Sequence, residues 1–111
     1  MSMNPPETAT GQVILIATME AKDEAAATKV QQMLTNIKMD AEDNEEGTLT
    51  YRTQRQKDVK TGLTNLFVVY EEYKGSKAVQ AHTEGKEFKK LIEAVQNEQL
   101  ATVDIKFFQE F

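Results

Sequence analysis

The chain has 111 residues, enough for one domain with a real core and too few for two. Hydrophobic residues make up 40% and charged residues 28%, as in an ordinary globular protein, and the net charge of −5 argues against nucleic acid, whose phosphates repel an acidic surface. The absence of cysteine excludes disulfides, thiolate metal sites and thiol nucleophiles.

No apolar run approaches the roughly 20 residues of a membrane-spanning helix, and the first residues lack the basic and apolar regions of a signal peptide. A cytoplasmic protein without membrane partners is therefore expected. Residues 1–11, polar and carrying both prolines (Pro5 and Pro6), read as a flexible leader, with residues 12–111 as the single domain.

Gln12 to Glu20 reads as the first strand, with Val13, Leu15, Ala17 and Met19 on one face and Ile14, Ile16 and Thr18 on the other. Asp23 to Met39 reads as a helix. Its apolar stripe is Ala26, Val30, Met33, Leu34 and Ile37, with Asp23 and Glu24 suiting the first turn and Lys38 the last. Asp40 to Glu46 holds five acids in seven residues. A calcium loop would need glycine in sixth place, where Glu45 stands, so a solvated turn is expected instead.

Thr48 to Gln56 forms the second strand, and Lys57 to Thr64, containing Gly62, the hairpin loop. Arg52, Arg55, Lys57 and Lys60 give that hairpin a basic tip, which reads as a solvated loop ahead of an anion site. The third strand carries Phe67-Val68-Val69-Tyr70 and places Glu71 and Tyr73 on one face. Lys74-Gly75-Ser76 then supplies a turn and cap for a short helix bearing Ala78, Ala81 and His82. Thr83-Glu84 starts a longer helix with Phe88, Leu91, Ile92 and Val95 on one face, and Ala101 to Phe108 closes the chain as the fourth strand. The order predicts an α+β protein of the ferredoxin-like split βαββαβ type, an antiparallel sheet with helices on one face.

Helices cover only one face of such a sheet, yet the first and third strands are apolar on both. Each large apolar side chain left in water forgoes about 1.5–3 kcal/mol. A homodimer pairing two sheets face to face is expected.

His82, the only histidine, reads either as a proton shuttle or as a satisfied core histidine. Glu71 on an inward face needs a partner or a proton, and His82 or Tyr51 could supply it. The three tyrosines and five phenylalanines suit either plain core or an aromatic ligand lining. Asn65 suits a turn or a hydrogen bond to a ligand carbonyl.

The ordered set Glu71, Tyr73, Ser76, Ala78, Ala81, His82 and Phe88 resembles the antibiotic biosynthesis monooxygenase family. So does Glu45-Glu46-Gly47-Thr48-Leu49-Thr50-Tyr51, similar to that family's Glu-Pro-Gly-x-x-x-Tyr segment, with Glu46 in place of the proline. The resemblance runs from about Val13 to Phe107. It implies a dimeric α+β barrel and cofactor-independent oxygenation, in which a deprotonated lipophilic phenol or quinol of secondary metabolism reduces dioxygen directly. His82, Tyr51 and Glu71 are then the expected catalytic residues, with His82 or a tyrosinate as base. Tyr73, Asn65, Phe67, Val69, Leu15 and Phe88 are expected to line the substrate pocket, with no cofactor and no metal. The chain has no tryptophan, where the best-understood oxygenases of the family place one in the pocket. A non-catalytic ligand-binding or stress-response dimer and a polyketide isomerase or cyclase fit the same architecture.

Overall fold

Alternating strand residues and a 3.6-residue helical stripe resolve into seven elements in the computed structural model, which describes residues 4–8 and 10–111. They are β1 (Val13–Ala21), α1 (Glu24–Asn44), β2 (Thr48–Asp58), β3 (Gly62–Tyr73), α2 (Ser76–Thr83), α3 (Lys86–Glu98) and β4 (Ala101–Phe108). The strands form one antiparallel sheet in the order β2-β3-β1-β4, the α+β ferredoxin-like arrangement. Within the expected leader, residues 1–3 and 9 lie outside the described residues, and the others form no helix or strand.

Ladder register sets which side chains share a row under the helices. Tyr51, Glu71, Leu15 and Phe107 make one such row across all four strands. Arg55, Phe67, Met19 and Val103 make another, four residues further along, or about 13 Å at strand rise. The α1 stripe of Ala26, Val30, Leu34 and Ile37 covers this face, with Leu91 and Ala94 of α3 in the same core.

Four boundaries differ from expectation. The acidic stretch after Met39 is helical through Asn44, because Ala41, 2% exposed, carries the α1 stripe one turn further. Lys38 therefore sits short of the last turn, which holds no basic residue. The acids there oppose the helix dipole by a few tenths of a kcal/mol each, while burial of Ala41 and the Glu45 N–H bond to the Ala41 carbonyl favour the extension.

The hairpin loop is also shorter than expected. Asp58 Oδ1 accepts the N–H groups of Lys60 (2.8 Å) and Thr61 (3.1 Å), and Gly62 takes the left-handed φ of 82° that the reversal requires. Finally, Gly75 rather than Ser76 caps α2, with no side-chain cap bond, and Gly85 rather than Thr83 or Glu84 precedes α3.

The sheet's other face carries half-buried Ile16, Leu66, Val68 and Tyr70. Ile14, on the same face, is only 8% exposed. It lies opposite Phe108 in the ladder, and the two chain ends meet over it around a cavity of about 100 Å³. Ile14 is thus sheltered within a single chain.

Gly47 fixes where α2 sits. A methyl group at this position would lie 2.5 Å from the Ala78 side chain, closer than real contacts allow, and Ala78 is too short to swing away. Gly47→Ala is expected to push α2 off the β2 entrance and cost about 1–3 kcal/mol. Urea denaturation of the variant checks this, and unchanged stability would contradict it.

Candidate functional site

The extra turn of α1 has a chemical consequence: it delivers Glu45, the residue that caps the helix, to His82 near the end of α2. His82 Nδ1 lies 2.8 Å from Glu45 Oε1, and the Thr48 hydroxyl donates to the same oxygen at 2.7 Å. Three rings cage the imidazole, with centroids 5.3 Å (Tyr51), 5.4 Å (Tyr73) and 5.1 Å (Phe88) away. Its exposure is 1%, and Nε2 has no hydrogen-bond partner. The nearest acid on that side is Glu71, at 3.8 Å, too far for a hydrogen bond. Glu71 instead accepts from the Tyr73 hydroxyl.

The two carboxylates are driven in opposite directions. Burial alone would raise the Glu45 carboxyl. The hydrogen bonds from His82 and Thr48, and the attraction of the imidazole, outweigh it and hold Glu45 below the ordinary range. An ionised Glu45 is an acceptor only, so Nδ1 carries the hydrogen and Nε2 faces Glu71. For Glu71, burial dominates and pushes its carboxyl up to about 7, against the opposing pull of His82 and Tyr73. Burial, then the charge of Glu71, raises Tyr51 and Tyr73 well above the usual phenol range. Both tyrosines are therefore held as phenols, which disfavours a tyrosinate base.

The expected site residues separate into two groups. Tyr51, Glu71, Tyr73, His82 and Phe88 converge, and Leu15, fully buried, lies beside Glu71 in the ladder. Val69 is buried one inward position away from Glu71, and Phe67 belongs to the row some 13 Å distant. Asn65 is six residues up the strand from Glu71, or roughly 20 Å, and takes no part in this cluster. His82 is bonded to Glu45 and not to Glu71, and Glu71 to Tyr73 in place of His82 or Tyr51. Glu45, which heads the family-like segment, is the residue to which sequence reasoning gave no site role. The signal for it was Ala41, whose spacing from Ile37 prolongs the helix to the cap.

A cleft of about 410 Å³ at the meeting of α1, α2 and α3 reaches Glu45, Ala78 and Ala81, the residues flanking His82. Among the described residues, no group of three or more His, Asp or Glu side chains is placed to hold a metal ion, and no helix is long and apolar enough to cross a membrane.

Glu71 makes stability depend on pH. Its folded value of about 7 lies above the ordinary 4.5, so the folded state holds the extra proton between them. Stability is full below about 4.5 and is lost as pH rises through 7, by on the order of 3 kcal/mol. Glu71→Gln is expected to flatten that limb. Denaturant midpoints at intervals from pH 5 to 8 test it, and an equal slope in both proteins would refute the assignment.

The family model for antibiotic biosynthesis monooxygenase matches residues 12–94. Among solved structures, a Caulobacter crescentus protein provisionally classed as an antibiotic biosynthesis monooxygenase is 21% identical with a TM-score of 0.73, over 92% of each chain. A conserved Bacteroides thetaiotaomicron protein of unknown function, described as a possible oxidoreductase, is 19% identical with a TM-score of 0.73, over 90% of this chain and 98% of that one. At these identities the likeness establishes the fold. No curated protein sequence matches the chain significantly. Since the family model spans most of the 111 residues, the chain belongs to the antibiotic biosynthesis monooxygenase family.

Proposed function

We propose that the chain is a cofactor-independent monooxygenase acting on a small lipophilic phenol, with His82 as its base. The observation that carries this is the orphaned, buried Nε2 of an imidazole whose other nitrogen is fixed by Glu45. A buried nitrogen lone pair without a donor is a place for a substrate hydroxyl to bind. Glu45 orients the ring and stabilises its cationic form once Nε2 takes the phenol's proton. The phenolate then gives electrons to dioxygen. One oxygen atom ends in the quinone product and the other in water, which also takes up two hydrogens, one from the ring carbon and one from the hydroxyl. Exclusion of water and orientation of the anion are the protein's other contributions.

The 1% exposure of His82 favours a second function, a non-catalytic dimer that holds a small apolar ligand or uses this cluster as polar core. Oxygen uptake with 1,5-dihydroxynaphthalene, whose monooxygenation gives juglone and water, separates the two. Turnover with label from ¹⁸O₂ in the quinone is expected, falling by about 10²-fold or more in His82→Ala. Uptake unchanged in that variant removes His82 from the chemistry.

The same proposal includes a homodimer through the outer sheet face, where Ile16, Leu66, Val68 and Tyr70 are half-buried and no helix covers them. Covering several such side chains outweighs the cost of association at micromolar concentration. Sedimentation is expected to give about twice the 12.5 kDa chain mass, and Val68→Lys to shift it to monomer. A monomeric parent protein would refute this.

A further inference from the structure

At the end of the sheet away from His82, a groove of about 360 Å³ opens between α1 and the β2–β3 hairpin. That volume lies within the range of small-molecule sites. Leu34 and Phe67, each 2% exposed, form its floor, and Leu63, 56% exposed, stands at its wall. The β2–β3 register shifts between Arg55 and Lys57, an irregularity of the kind that re-aims a side chain.

Arg55 is held in one orientation by three contacts. Its Nε–H donates to the Thr64 carbonyl at 2.6 Å, Nη1 donates to Gln31 Oε1 at 3.0 Å, and the guanidinium carbon stacks 5.1 Å from the Phe67 ring centroid. These neutral acceptors use two of its five N–H groups. The chain has 18 acidic residues against 13 basic ones, yet no carboxylate lines the groove, and none makes an ion pair with Arg55 among the described residues.

We infer that this groove binds a small amphipathic monocarboxylate, with Arg55 gripping the carboxylate and the apolar body lying along Leu34 and Leu63. A fixed planar fork matches a carboxylate in a two-pronged contact. A single cation beside an apolar floor suits one negative charge on an apolar tail better than a doubly charged phosphate. Thr35, which also lines the groove, reports on its occupancy.

Titration of ¹⁵N-labelled protein with octanoate tests the site. Saturable shifts are expected at Thr35, Leu63 and the Arg55 Nε–H, with octan-1-ol at least tenfold weaker. Arg55→Gln is expected to weaken octanoate at least tenfold. Should that variant fail to fold, Leu63→Asp serves instead: its side chain is exposed, and the new carboxylate repels the ligand, again by at least tenfold. Absence of saturable shifts up to about 10 mM octanoate, equal affinity for octan-1-ol, or wild-type affinity in Leu63→Asp would each overturn the inference.

Discussion

The bond between Glu45 and His82 joins the end of α1 to the end of α2 across 37 residues of sequence. Much else in this half of the molecule depends on it. The imidazole sits at 1% exposure inside three aromatic rings, where a polar group without a partner is expensive. An ionised carboxylate supplies the strongest partner available, and the low dielectric around the ring strengthens the contact. Removing one side of such a charge-assisted hydrogen bond costs about 1.5–3 kcal/mol, because the remaining group keeps its burial and loses its bond. Short helix α2 has no side-chain cap at its start. Its position therefore depends on this bond, on Val79 in the core and on the close approach of Gly47 to Ala78.

Two glutamates on opposite sides of one imidazole carry different charges for reasons visible in their surroundings. Glu45 receives hydrogen bonds from His82 and Thr48 and remains ionised. Glu71 lies deeper on the sheet and receives only the Tyr73 hydroxyl, so burial wins and its proton is held up to about neutral pH. When environments push neighbouring acids apart in this way, acid and base roles are separated without any change of residue type. Nδ1 is committed to one glutamate and Nε2 is left facing the other. A proton arriving at Nε2 thus meets a nearby carboxyl poised near neutrality.

The sheet order and the helix stripe were legible because both rest on periodicity, which burial imposes directly on residue types. The fourth strand, Ala101 to Phe108, alternates cleanly and its bounds follow. So did the shared face of Glu71 and Tyr73. The end of α1 was harder to read because five acids between Asp40 and Glu46 suggest solvent and turn, and one buried alanine, Ala41, outweighs them. That local misreading hid the His82 partner. The position of Asn65 was hidden for another reason. Strand β3 starts at Gly62, so Asn65 is a strand residue and not a turn residue, and the extended backbone carries it six residues away from Glu71.

Register also explains why the two ends of one sheet face have unlike chemistry. The row through Tyr51, Glu71 and Leu15 sits beneath α2 and the end of α1, where glutamates gather around the histidine. The row through Arg55, Phe67 and Met19 lies near the end of β1, and the neighbouring α1 residue facing it is Gln31, a neutral amide. An arginine there keeps its charge at any pH of interest, so the absence of an acid leaves the charge for something outside the chain. At the other end, the charge of Glu45 is met internally by His82 and Thr48, and what remains unfilled is a nitrogen. The ionised Glu45 behind Nδ1 favours taking a proton at Nε2 from a neutral phenol, while the isolated guanidinium favours holding an anion that has already formed. Thr53 and Val69 occupy the row between them, on the same strands, so the apolar layer separating the two ends is one side chain deep.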